Sequence, residues 1–414
     1  MLTLIKNIKK LVQTEESPRK WVAGKEMAVL PSIENAWLLV EDGLIKDFGS
    51  MDTCPEPDEV HEVDVEGRIV MPAFCDSHTH LVYAGSREIE YGDKIRGLSY
   101  EEIAKRGGGI LNSSKLLAET SEDDLYEQAL VRIHEIIGFG TGAVEIKSGY
   151  GLDTENELKM LRVIKRLKET TPITIISTFL GAHSIPMEYR DNQTEFVDKV
   201  INEMIPAVAA EELADYIDVF CDKGFFTVED TERILMAGMK YGLRGKIHAN
   251  ELDYSGGIQA GVKYNALSVD HLEFVGPEEI EALKGSETMP TVLPGAAFFL
   301  NMKLSPVREM MNAGLPLALA SDYNPGSSPS GNMKFIMSLG CINYKMTPEE
   351  VINATTLNSA YAMGLSDELG SICRGKRANL IITKPIPSVE FLPYAYTSHL
   401  IDQVMLNGDL ITLE

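Results

Sequence analysis

Hydrophobic positions along the chain change their spacing twice. The first 70 residues carry short apolar runs: Trp37-Leu38-Leu39-Val40, the turn Glu41-Asp42-Gly43, then Leu44-Ile45-Lys46-Asp47-Phe48. Runs of that length bounded by Gly and Asp predict hairpin strands. The same style returns at the end of the chain, in Ala378–Thr383 and Val404–Ile411. Strand-rich ends around a different middle predict a small β-sandwich domain assembled from residues 1–70 and 367–414.

The middle alternates. Strand-like apolar runs fall at 67–73, 143–146, 173–179, 217–220, 246–247, 266–269, 289–293 and 315–320. Amphipathic segments with helix-start signals lie between most of them. Ser99 with Glu102, Thr154 with Glu157, and Thr347 with Pro348 and Glu350 have the spacing of capping boxes. Leu158, Leu161, Ile164 and Leu167 recur at helical spacing, and a helix over Leu125–Ile137 runs into stop signals at Gly138 and Gly140. Strand then helix, about eight times over roughly 300 residues, predicts an α/β fold, a (β/α)8 barrel over residues 71–366. The rival is an open doubly wound sheet. No G-x-G-x-x-G follows the first strand, and Gly107-Gly108-Gly109 reads as a loop.

Composition narrows the partners. Among 414 residues, Asp plus Glu number 62 against 38 Lys plus Arg, a formal charge of −24. Such a surface repels phosphate backbones and anionic membranes, so neither nucleic acid nor lipid is an expected partner. A small anionic substrate would need a local cation to hold it. Five widely spaced cysteines with no C-x-x-C pair predict buried reduced thiols in a cytoplasmic protein. The N-terminal segment lacks the apolar stretch of a secretory signal, and the apolar run 292–300 contains Pro294 and is too short to span a bilayer. Oligomeric state stays open, a homodimer being one option.

The candidate chemistry lies where the predicted strands end, which is where barrel enzymes build their sites. Strand one ends in CDSHTHL, with His78 and His80 on one face by strand alternation. His183 follows strand three, His248 and Glu251 end strand five (IHANE), His271 ends strand six (VDHLE), and Asp322 ends strand eight (ASDYN). His61, His134 and His399 fall elsewhere and read as ordinary histidines. Three imidazoles and a carboxylate suit one zinc or iron ion, which would make hydroxide available at neutral pH. Asp322 can bind the ion and accept the water's proton, His271 can orient that water, and Glu251 can pass a proton to a leaving nitrogen. The pattern therefore points to metal-assisted hydrolysis at a C–N or C=N carbon.

From about Arg68 to Leu380 the chain resembles the amidohydrolase superfamily, through HTH, IHANE, VDHLE and ASDYN in that order. The blocks AGSR, KSGYG, FLGAH and DYNPGSS are similar to members that open an imidazolone ring during histidine breakdown. The resemblance implies His78, His80, His248 and Asp322 as ligands of a zinc or iron ion. It implies Arg87, Tyr150, His183 and Glu251 as substrate contacts, with Asn324, Gly326 and Ser327 holding the ring or its opened product. The implied substrate is imidazolone propionate, hydrolysed at its ring amide to N-formimino-L-glutamate, with Arg87 gripping the propionate. Two positions depart from the family pattern, Ser77 and Asn250, and Asn250 could alter the proton affinity of Glu251. Three rivals remain. A deaminase of a purine- or pyrimidine-like ring would share His248, Glu251 and His271 but have no carboxylate for Arg87. A two-metal hydrolase would need a bridging lysine, and Lys223 and Lys147 are the lysines near strand ends. A barrel without activity, used for binding, would hold no metal.

Overall fold

The computed structural model describes residues 1–98, 102 and 108–411. Eight parallel strands form the barrel: Phe74–Thr79, Thr141–Lys147, Thr174–Ala182, Tyr216–Cys221, Arg244–Ala249, Ser268–His271, Met289–Val292 and Ala318–Leu319. The ring closes just past the last strand. Asp322 N donates to His78 O and His80 N donates to Tyr323 O, both at 2.9 Å. Closure therefore brings the two ends of the pattern, H-T-H and S-D-Y, into register.

Helices cover the barrel where the amphipathic segments were expected. In the helix Thr154–Thr170, Leu161, Ile164 and Leu167 are buried. The helix Glu122–Gly138 ends before Gly140, whose φ of +93° suits glycine. Thr347 and Glu350 form the expected capping box. Thr154 does not cap: Asp153 accepts the Asn156 N–H instead. Glu157 turns inward and accepts from the backbone N–H groups of Gly149, Gly151 and Leu152. The expected helix start at Ser99, and Gly107 of the glycine run, lie outside the described residues.

Strands from both termini form one mixed eight-stranded sheet, beside a two-stranded ribbon of Thr14–Glu15 with Ile372–Cys373. Its apolar side buries Ile5, Ile8, Leu38, Val40, Leu380 and Ile382 in a core of its own. The predicted strand at 67–73 belongs here. Ile69–Pro72 pairs with Leu380–Ile382 and with Lys10–Leu11, and the first barrel strand starts at Phe74. That strand is hard to see in the sequence because it buries polar residues, Asp76, Ser77, His78 and Thr79. All five cysteines are free thiols, but Cys54 and Cys341 are only partly buried. Among the described residues, no helix is long and apolar enough to cross a membrane.

Candidate active site

A cavity of about 360 Å³ opens at the C-terminal ends of the barrel strands. Imidazoles and one carboxylate crowd its floor. His78 Nε2 and His80 Nε2 lie 3.6 and 3.7 Å from Asp322 Oδ1, and His248 Nε2 lies 3.3 Å from His80 Nε2. Among the described residues, three overlapping groups have donor atoms within 4.8 Å of one another: His78, His80 and Asp322; His78, His248 and His271; His80, His183 and His248. Burial first, then neighbouring cationic and imidazole groups, holds His78, His80 and His271 well below the ordinary imidazole range. These rings therefore carry lone pairs. His78 Nε2 is fully buried with no hydrogen-bond partner, the condition of an atom reserved for an ion.

The rings are oriented from below. His78 Nδ1 is 2.6 Å from Asp270 Oδ2, and His248 Nδ1 lies 3.0 Å from Asp218 Oδ2. The Asp270 carboxylate hydrogen-bonds the far nitrogen of His78 and so fixes its tautomer, while Asp218 faces His248 Nδ1 as a charge contact without an aligned hydrogen bond. Lys147 and Lys246 lie buried among these acids. Lys147 pairs with Asp218 at 2.9 Å and Glu145 at 2.6 Å, and Lys246 pairs with Glu145. Lys223 points outward, 76% exposed, and pairs with Asp253.

His271 and Glu251 share the next part of the wall, 3.6 Å apart. His271 has φ +86°, uncommon for a residue with a Cβ, so tertiary packing holds it in a strained conformation. Burial, then the Asp322 and Asp222 carboxylates, raises Glu251 above the usual carboxylate range. Asn250 is not the cause: its amide donates to Phe274 O and its Oδ1 accepts from Ser255 Oγ. Asn250 has φ +56°, which asparagine tolerates better than most residues. Burial also pushes Asp322 up to about 7, against opposition from His248 and side-chain bonds of Asn324 and Ser327. A cation among these donors would hold the carboxylate ionised.

Arg87, Tyr150, His183, Asn324, Gly326 and Ser327 all line the cavity. Arg87 also pairs with Glu90 at 3.0 Å, so the guanidinium faces the cavity with a carboxylate already beside it. Gly326 makes room for it: a Cβ there would lie 2.2 Å from Arg87 Nη1. The Asn324 amide is committed to its own turn. Its Oδ1 accepts from Gly326 N and Ser327 N, and its Nδ2 donates to Asp322 O and Ser327 Oγ. Tyr150 is held by the 149–152 loop that Glu157 anchors. His183 stacks on His80 at 5.0 Å and meets Gly149 O through Nδ1. His61, His134 and His399 are exposed.

The sequence reading missed Lys94, Lys246 and the buried acids below the rings, and it gave Glu157 and Lys147 other tasks, a helix cap and a possible metal bridge. Lys94 lines the cavity mouth from the helix Glu88–Ile95. The buried set left one signal, charged residues inside apolar runs, as in Ala143–Lys147 and Tyr216–Cys221. In a parallel barrel strand those charges cannot reach solvent and must meet one another.

A profile of the amidohydrolase family matches residues 69–411. An imidazolonepropionase of Flavobacterium johnsoniae is 58% identical over 411 residues, 99% of this chain and 100% of that one. One from Flavobacterium psychrophilum is 56% identical with the same coverage. Among solved structures, 5-methylcytosine deaminase from Klebsiella pneumoniae with phosphonocytosine superposes with a TM-score of 0.74. That match covers 100% of this chain and 98% of the other at 19% identity, a likeness of fold alone.

Proposed function

The chain belongs to the amidohydrolase family and, within it, to the imidazolonepropionases, and from that premise we propose that it hydrolyses the ring amide of 4-imidazolone-5-propanoate. The observation that carries this reading is the pairing of a histidine–aspartate floor with a guanidinium on the wall of one cavity. His78, His80, His248 and Asp322 would hold one zinc or iron ion. When bound, that ion makes hydroxide available near neutral pH and polarises the ring carbonyl. The two lysines near strand ends support one ion over two. Lys147 is held as an ammonium among carboxylates and Lys223 faces solvent, so neither suits a carboxylated bridge.

Arg87 binds the propionate, with Lys94 adding positive charge at the mouth. This second cation matters because Glu90 already offsets part of the Arg87 charge. Tyr150 and His183 form the wall against which the ring lies, and Gly326 and Ser327 form the facing turn. His271 orients the attacking water and Asp322 takes its proton. Water adds to the ring carbonyl carbon, and the tetrahedral intermediate collapses with cleavage of the carbon–nitrogen bond. Glu251 delivers a proton to the departing nitrogen, giving N-formimino-L-glutamate. The chemistry belongs in the cytoplasm, where reduced thiols persist.

The test is spectrophotometric. Zinc- or iron-loaded protein is expected to consume imidazolone propionate and to leave guanine and 5-methylcytosine untouched. Turnover of either base without turnover of the propionate would replace this reading with a deaminase.

A further inference from the structure

We propose that Lys147 is a positioning residue for the metal centre, its ammonium holding at once the two carboxylates, Asp218 and Asp270, that fix the rings of His248 and His78. The proposal rests on the reading of those two histidines as ligands.

Lys147 ends the second barrel strand, two residues after Glu145, so both side chains enter the barrel from the same face. Its Nζ lies 2.6 Å from Glu145 Oε1, 2.9 Å from Asp218 Oδ2 and 3.9 Å from Asp270 Oδ2, and all four side chains are fully buried. The same Asp218 oxygen is 3.0 Å from His248 Nδ1, and the same Asp270 oxygen is 2.6 Å from His78 Nδ1. One ammonium thus sits between two carboxylate–imidazole pairs that come from the fourth, fifth, sixth and first strands.

Charge explains why a cation is needed there. Three carboxylates, Glu145, Asp218 and Asp270, meet two ammonium groups, Lys147 and Lys246. Lys246 bonds Glu145, Ala362 O and Ser77 O and also lends its charge to Asp270, but it makes no ion pair with Asp218, which Lys147 alone of the two contacts. Removing the Lys147 charge would leave Asp218 and Asp270 repelling each other in a medium that screens weakly. Each would draw away and turn its imidazole with it, and a ring rotated off its direction binds an ion poorly. Disturbing carboxylates that orient ligand histidines typically costs 10- to 100-fold in metal affinity.

The full-length protein is stripped of metal and titrated with zinc ion against a competing chelator, as wild type and as Lys147→Met. Unfolding of the metal-free forms is followed in parallel. The expected result is a 10- to 100-fold rise in zinc Kd for folded Lys147→Met. Lys147→Met/Glu145→Gln removes one charge of each sign, restores the buried balance and should show the same rise even if the single variant folds poorly. Zinc binding within about twofold of wild type in either folded variant, against the tenfold that positioning requires, overturns the proposal. So does failure of both to fold, which would make Lys147 a folding residue. Wild type that takes up no zinc, or His248→Ala that binds it as tightly, would instead sink the ligand reading.

Discussion

Gly326→Ala tests the substrate grip without removing a polar atom. The added Cβ would lie 2.2 Å from Arg87 Nη1 and 2.7 Å from its Cζ, whereas ordinary contact begins near 3.4 Å. The guanidinium must therefore retreat by 3.4 − 2.2 = 1.2 Å to regain ordinary contact. Gly326 is not among the residues with positive φ, and the obstructed group is the far end of a flexible side chain, so folding should lose little. Binding should lose more. A charge-assisted hydrogen bond contributes about 1.5–3 kcal/mol, and misplacing one raises KM roughly 10- to 150-fold. The assay is steady-state kinetics on imidazolone propionate and on an analogue with an uncharged side chain, with thermal unfolding as control. KM should rise for the propionate, much less for the neutral analogue, while kcat changes little. Arg87→Ala should mimic it, and the double variant should be scarcely worse than Arg87→Ala because both act through one group. Equal KM changes for the charged and neutral compounds, or none, would refute the assignment of Arg87 to the carboxylate.

Three more outcomes are expected. His248→Ala should lose bound metal and turnover together, checked by elemental analysis beside the activity assay; retained metal would remove His248 from the ligand set. Glu251→Gln should keep the metal and lower kcat by about 10²- to 10⁴-fold. Because burial and the facing acids raise Glu251, the wild type should lose kcat as pH rises through that raised pKa and the acid gives up its proton. The Gln variant has no such proton, so a pH profile that keeps the alkaline limb would assign it to another group. Glu157→Ala strips the partner from three buried N–H groups, those of Gly149, Gly151 and Leu152. It should cost about 3 kcal/mol or more in denaturant unfolding and raise KM through Tyr150; unaltered stability would show that the loop does not depend on it.

Legibility followed polarity. His78, His80, His183, His248, His271 and Asp322 stood out because polar side chains at strand ends interrupt apolar runs; all but His78 line one cavity, and His78 is buried against them. The start of the first barrel strand did not stand out, since Asp76 to Thr79 is polar yet buried, and the more apolar Ile69–Pro72 drew attention into the neighbouring sheet. Thr154 had the spacing of a cap, but Asp153 beside it took that task and freed Glu157 for the 149–152 loop. Spacing alone does not separate two adjacent cap-forming residues.

The alternation of strand and helix, the order of the histidine motifs and the acidic charge were fixed by the linear chain, because each depends on residue type and local period. Other features needed closure of the barrel. Asp322 meets His78 and His80 only because the first strand bonds to the segment after the eighth. Lys147 braces Asp218 and Asp270 only because strands far apart in sequence turn those charges into one interior that water does not reach. Gly326 matters only because a guanidinium from a distant helix start comes to rest against it. Such contacts are set by packing in three dimensions, where the energy of a charge depends on what surrounds it and not on its neighbours in the chain.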